Sequence, residues 1–445
     1  MNKEISGNAG VSKAGHEVRA AARELLIAVL DKGRPLDEAA AQQMAIPPLA
    51  GADSRDRAFF KLLAVTTLRR LGQIDAALAG LIDKPLGPEA RYERAALRLG
   101  AAQLLFLGTP AHAAVNGAVA SLSRKSPYRG LINAVLRRLA REAQAILAGQ
   151  DAARCNTPDW LWQGWVDAYD EATARAIALA HLVEPPLDLS VKADAAGWAA
   201  RLNGRLLATG SVRITASGPV EQLPGYGEGA WWVQDAAAAL PVRLLGPRPG
   251  ERVLDLCAAP GGKTLELALA GARVTALDRS ARRLERVTEN LQRTGLSAEL
   301  VTADAALWRP PEPADAVLLD APCSATGTLR RHPDVAWIKR PEDIAKLVAA
   351  QARLLDAAAA MVRPGGRLIY CVCSLEPAEG AQQIEQFLQR PAAGGFRRLA
   401  VQAEELPGLG DAGITPAGDL RTLPSLWPEL GGMDGFYVAR LQRTA

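Results

Sequence analysis

The chain has 445 residues, 49% apolar and 22% charged, the composition of an ordinary globular protein long enough for two or three domains. No apolar run approaches the roughly 20 residues needed to cross a bilayer, and charged residues from Lys3 to Arg19 interrupt any secretory leader, so a cytoplasmic protein off the membrane is expected. Five scattered cysteines make no disulfide framework, and none of the four histidines pairs with them at zinc-ligand spacing, so no metal is expected.

The net charge of +4 is unevenly shared: residues 1–150 hold 21 Lys and Arg against 13 Asp and Glu, and the remainder holds 31 against 35. A basic front part joined to a near-neutral remainder suits a polyanion held by the first and other work done by the second. Helical periodicity dominates residues 1–148. His16 to Leu30 stripes Ala22, Leu25, Leu26, Val29 and Leu30 along one face, and Asp53-Ser54 caps a helix from Arg57 to Leu71. Further helices are predicted from Pro88 to Phe106, Ala111 to Ser123 and Tyr128 to Ala148, with breaks at Gly72, Pro85, Gly108-Thr-Pro110 and Ser126-Pro127. Short connections make this an all-α bundle. Two basic groups stand out: Arg55, Arg57, Arg69 and Arg70, and the run from Arg124 to Arg138, whose first residues open a helix where free N–H groups favour phosphate. Ala114-Val-Asn-Gly-Ala-Val119, followed by Gly130-Leu-Ile-Asn-Ala-Val-Leu-Arg137, resembles the NusB-like RNA-binding domain.

Residues 149–245 read as a linker, Gly149 to Thr157, and a small mixed α/β subdomain. Trp160, Trp162, Trp165 and Tyr169 are read as core packing rather than base stacking. Strands are expected at Leu187–Lys192 and Ser211–Thr215 around a short helix at Ala195–Leu202, and Trp231-Trp-Val-Gln-Asp235 leads from a strand into the helix Ala236–Leu245.

The last segment, 246–445, carries the chemistry. Arg252-Val-Leu-Asp-Leu256 is a strand, and Cys257-Ala258-Ala259-Pro260-Gly261-Gly262-Lys263 a loop opening a helix, with the two glycines allowing close approach to a ligand. Arg273–Asp278 is a second strand, ending in an acid 23 residues after Asp255, the spacing at which such folds hold a ribose diol. Asp304 follows a third strand at Ala298–Val301. Asp320-Ala-Pro-Cys-Ser324 follows the apolar run Ala316–Leu319, a fourth. The acids Asp278, Asp304 and Asp320 thus fall at strand ends, where open α/β sheets take their ligands. The loop lacks the Gly-x-Gly-x-x-Gly of nicotinamide sites and the glycine spacing of a P-loop. Arg330-Arg331-His332 offers phosphate contacts or a solvated surface.

Asp255 to Lys263, Asp320 to Ser324 and Tyr370-Cys-Val-Cys-Ser374 closely resemble the RNA cytosine-5 methyltransferase family over nearly the full chain, with Asp434 to Leu441 fitting that family's last strand. The resemblance implies a Rossmann-like, S-adenosylmethionine-dependent domain. The Cys257–Lys263 loop would cradle the donor, Asp278 its ribose and Asp304 its adenine, with Asp320 on both the donor and the base. It implies Cys373 as nucleophile and Cys323 as the thiol that assists product release, Asp320 acting at N3 of the base and Lys263 lowering the reactive thiol's pKa. The substrate implied is small-subunit (16S) ribosomal RNA, acted on by a monomer, with the target base turned outward. Val372 stands where the family has threonine, Cys371 adds a thiol, and Gly380 stands where the family often has asparagine. Strand alternation turns Cys371 to the same face as Cys373, so Cys371 competes for the nucleophile's role. The rival readings are a transfer-RNA methyltransferase and a non-catalytic RNA-binding assembly or antitermination factor. DNA is not expected as substrate. Cys257 lines the donor loop, and Cys155 is structural.

Overall fold

Apolar stripes at helical spacing in the front part become helices over Lys13–Leu30, Leu36–Met44, Ser54–Arg69, Leu71–Ala79, Arg91–Leu105, Ala111–Ala120 and Arg129–Ala148 in a computed structural model. The structure describes residues 13–215 and 218–444; the reading of residues 1–12 as no leader lies outside the described residues. Two compact units are formed, Met1–Trp162 with His332–Ile338, and Gln163–Arg331 with Lys339–Ala445.

In the first unit Leu25, Leu26, Phe60, Leu63, Ile132 and Leu136 meet in one buried core. Asp53 caps its helix by accepting the Asp56 N–H at 2.8 Å, satisfying one of the helix's free donors. The break expected at Gly72 instead falls at Arg70, between two helices, and Gly72 lies inside the second. A Cβ there would stand 1.7 Å from the Cys155 carbonyl oxygen, so the glycine serves a close backbone approach rather than a turn. Residues 332–338 belong to this unit by their contacts: Asp334 Oδ2 accepts the Leu36 N–H at 2.9 Å, and the Trp337 indole donates to the Leu68 carbonyl at 2.9 Å. The basic groups divide. Arg57 donates to Leu49 and Ala50 carbonyls and Arg129 to those of Val119 and Leu122, whereas Arg55, Arg124, Lys125 and Arg137 stay exposed.

The second unit contains two sheets. The smaller is antiparallel, built from β1 (Leu187–Val191), β2 (Arg205–Leu206), β3 (Val212–Ile214) and β4 (Trp231–Val233) in the order β2-β3-β1-β4. Asp188 and Arg213 pair across it through two contacts of 2.7 Å, both buried. The larger sheet contains β5 (Arg252–Leu256), β6 (Arg273–Asp278), β7 (Glu299–Thr302), β8 (Ala314–Asp320), β9 (Val362–Val372), β10 (Phe396–Arg398), β11 (Leu420–Thr422) and β12 (Phe436–Arg443). Its order is β10-β12-β9-β8-β5-β6-β7, with β11 also paired to β12. The five strands from β9 to β7 are parallel, and β12 runs antiparallel to β9. Both faces of the parallel part are covered, which is why its strands read as unbroken apolar runs. Along β8, Val317 and Leu319 enter one core while Ala316 and Leu318 enter the other. The expected order of helical front, small sheet and Rossmann-like domain is the one observed. Among the described residues, no helix is long and apolar enough to cross a membrane.

Candidate active site

From β5 the chain winds outward to β6 and β7, then returns across β5 to start β8 and β9. The carboxyl ends of β5 and β8 therefore flank the point where the winding reverses, the crevice where such sheets bind ligands. The Cys257–Lys263 loop leaves β5 there, and Asp320 ends β8.

The loop is held by its neighbours. Ala258 N–H donates to the Leu277 carbonyl at 3.0 Å, and Ala259 N–H reaches Asp278 Oδ2 at 3.3 Å. Gly261 has φ +103° and precedes the helix Gly262–Leu269. A Cβ at Gly261 would meet Val287 at 3.0 Å and one at Gly262 would meet Gln234 at 3.3 Å. The glycines thus serve a left-handed turn and helix packing, where the sequence suggested space for a ligand. Next to the loop, Cys257, Asp278, Asp304, Pro322 and Arg353 line a cavity of about 570 Å³, within the range of small-molecule sites. Asp278 and Asp304 of its lining stand at or just past neighbouring strand ends, and Asp255, fully buried beneath the loop, has one carboxylate oxygen without a partner. A cavity of this size, with strand-end carboxylates able to accept from hydroxyl and amino groups, fits a nucleoside. Burial pushes the Asp255 carboxyl up to about 7, and burial, with Asp320 next, pushes the Cys257 thiol up to about 12. Cys257 therefore lines the cavity as a neutral thiol.

Asp320 and Cys371 are register partners on β8 and β9. Lys263 Nζ holds Asp320 Oδ2 at 2.8 Å, and Cys371 Sγ approaches Oδ1 at 3.6 Å. Burial opposes the Lys263 charge most, but Asp320, Cys371 and Asp255 together outweigh it and hold the ammonium pKa above the usual lysine value. Lys263 is thus committed to Asp320. One step further along both chains, Cys323 Sγ lies 3.5 Å from Cys373 Sγ, both residues half-buried. Contact with Cys373 first, and burial second, push the Cys323 thiol well above its usual range.

The structure corrects the reading of Arg330 and Arg331. Arg330 and Arg331 are neither phosphate-binding nor solvated: Arg330 is buried and bonds to the Gly431 carbonyl and Asp434 at 2.5 and 3.1 Å, while Arg331 bonds to Asp235 at 2.6 Å. Gly380, where the family often has asparagine, sits in a packed turn. It is buried, and a Cβ there would stand 2.7 Å from the Arg421 guanidinium, which in turn donates to the Ser374 carbonyl at 2.5 Å. Pro322 and Arg353, the second from the helix Pro341–Met361, line the donor-sized cavity, although no local motif marks that helix. Trp165 is buried, as expected for packing.

A doubly covered parallel sheet with a nucleoside-sized cavity at its switch point and an acid at each neighbouring strand end defines an S-adenosylmethionine-dependent methyltransferase domain. The family described as 16S rRNA methyltransferase RsmB/F matches residues 242–442, and the NusB family matches residues 16–141. A ribosomal RNA small subunit methyltransferase B from Vibrio vulnificus is 37% identical over 96% of this chain and 100% of its own length. The protein of the same description from Xanthomonas campestris pv. campestris is 40% identical, covering 90% of this chain and 94% of its own. The crystal structure of PH0851 shares the fold at a TM-score of 0.72, with 22% identity over 95% of this chain and 98% of that one. The chain belongs to the RsmB/F family of 16S rRNA methyltransferases, fronted by a NusB-family domain.

Proposed function

We propose that this chain methylates C5 of one cytosine in 16S ribosomal RNA through a covalent cysteine adduct at C6, with Cys373 as nucleophile and Cys323 as the release thiol. The carrying observation is the 3.5 Å separation of these two sulfurs, on the turns that follow Asp320 and Cys371. Cytosine C5 is too weak a nucleophile unaided. The Cys373 thiolate adds to C6 and makes C5 enamine-like, while Asp320 as the carboxylic acid gives its proton to N3, where negative charge would otherwise develop, and Lys263 stabilises the carboxylate so formed. When bound, S-adenosylmethionine supplies an electrophilic methyl group. Water then takes the C5 proton, the freed electron pair forms the C5–C6 double bond as the C6–S bond breaks, the N3 proton returns to Asp320 and Cys373 is returned as a thiolate, with Cys323 assisting. Asp278 and Asp304 hold the donor's ribose and adenine, and the Cys257–Lys263 loop its remaining part.

In this reading residues 1–148 hold the RNA backbone, 149–245 guide the target strand and 246–445 perform the transfer. The enzyme works as a cytoplasmic monomer. The test is transfer of a radiolabelled methyl group to unmodified 16S transcript, to early small-subunit particles and to transfer RNA. Label in 5-methylcytosine of either 16S substrate is expected, and label in transfer RNA alone would overturn the substrate assignment.

A further inference from the structure

The two cysteines stand on separate turns at the ends of β8 and β9, and each is followed by a serine, Ser324 or Ser374. Both serines end on one carboxylate. Glu379 is fully buried. Its Oε1 accepts the Ser324 backbone N–H at 2.9 Å and Gln351 Nε2 at 2.9 Å. Its Oε2 accepts the Ser374 hydroxyl at 2.6 Å and also the Ser324 hydroxyl. Thr326 crosses the same gap, its Oγ1 accepting the Leu375 N–H at 3.0 Å. Backbone bonds close either side, Ala321 N–H to the Cys371 carbonyl and Gly327 N–H to that of Cys373, each 3.0 Å. The Tyr370 hydroxyl donates to the Glu379 carbonyl at 2.7 Å and anchors the brace to β9.

The backbone bonds hold Cys373 at its own carbonyl and leave Cys323 between the bonded Ala321 and Gly327. Glu379 grips the residue directly after each cysteine through its carboxylate, while the two serine hydroxyls lie 3.0 Å from each other and 3.4 Å from Thr326 Oγ1, so the carboxylate is the charged centre of the brace. Hydrogen bonds to an ionised acceptor are about twice as strong as neutral ones, and a buried network in which every donor is matched holds a single geometry. We propose that Glu379 is the positioning residue that sets the spacing of Cys323 and Cys373, and with it the rates at which the RNA adduct forms and resolves. The inference rests on the paired-thiol reading above, but the spacing itself is measurable without RNA.

Glutamine at 379 keeps an acceptor toward Ser324 N–H and Gln351 while turning an amide donor to the serine hydroxyls, which rotate to accept it. Alanine removes every bond. The effect is therefore graded. The probe is diamide, an azo oxidant that takes two protons and two electrons from the two thiols, becoming a hydrazine as one S–S bond forms. The Cys323–Cys373 disulfide is followed by peptide mass mapping in the full chain. It should form readily in the wild type, about tenfold more slowly in Glu379→Gln and on the order of a hundredfold more slowly in Glu379→Ala. Single-turnover methylation should fall in the same order, while S-adenosylhomocysteine affinity stays at the wild-type value. Should the Glu379 variants not fold, Ser374→Ala removes one donor and is expected to slow cross-linking severalfold.

Wild-type cross-linking rates in the folded variants, with lowered thermal stability alone, would make Glu379 merely structural and overturn the proposal. So would a wild type in which this disulfide does not form. Slowed cross-linking in variants of an enzyme that traps no RNA adduct would leave the positioning role standing and remove the paired-thiol reading.

Discussion

Cys371 and Cys373 are two residues apart on one strand end, yet their sulfurs serve different partners. The first approaches Asp320 Oδ1 at 3.6 Å and the second faces Cys323 at 3.5 Å. Strand β9 ends at Val372, so alternation fixes Cys371 in the core while Cys373 begins the turn. Burial first, and the Asp320 charge next, push the Cys371 thiol well above its usual range, which keeps it protonated and a poor nucleophile.

Cys371→Ala should therefore retain turnover within about fivefold of the wild type, whereas Cys373→Ala should lose it. Alkylation by iodoacetamide should reach Cys373 well before Cys371, as peptide mass mapping would show. Loss of turnover in Cys371→Ala with Cys373 intact would exchange their roles.

Lys263 is bound to Asp320 at 2.8 Å. Lys263→Met leaves that carboxylate without its cation and should lower the single-turnover methylation rate on the order of a hundredfold, since one preorganised electrostatic contact is worth that much. The check is a rapid-quench measurement at saturating donor, where a weakened donor affinity no longer contributes.

Asp278 closes the donor-sized cavity and receives the Ala259 N–H. Asp278→Ala should weaken S-adenosylhomocysteine binding about ten- to a hundredfold through the lost hydrogen bonds, measured by isothermal titration calorimetry. Affinity for 16S RNA should not change.

Asp255 makes stability depend on pH with a definite sign. Its folded pKa of about 7 lies above the roughly 4 of an unfolded aspartate. Between these values the folded chain binds more protons, so stability falls as pH rises from about 4 to 7, and the penalty is complete above 7. Asp255→Asn does not titrate, so its melting temperature relative to wild type should rise between pH 5 and pH 8. A constant difference across that range would contradict the assignment.

Much of this was legible because parallel strands buried on both faces leave apolar runs bounded by turns. β5 and β6 occupy the predicted Arg252–Leu256 and Arg273–Asp278, and Asp278, Asp304 and Asp320 fall at or just past strand ends. Contacts across long chain separations were not legible. Arg330 and Arg331 read as surface groups because their partners Asp235 and Asp434 are distant in sequence. Gly72 read as a helix break because nothing nearby reveals the Cys155 carbonyl against it. The Glu379 brace left only one trace, a serine after each cysteine.

The two half-buried sulfurs lie 3.5 Å apart at the centre of the proposed chemistry. The direct measurement is a denaturing gel of wild type, Cys323→Ala and Cys373→Ala, each incubated with S-adenosylmethionine and unmodified 16S RNA. A protein–RNA band that accumulates with Cys323→Ala and is missing with Cys373→Ala is the predicted result. A band that accumulates with Cys373→Ala instead would contradict the assignment and make Cys323 the nucleophile.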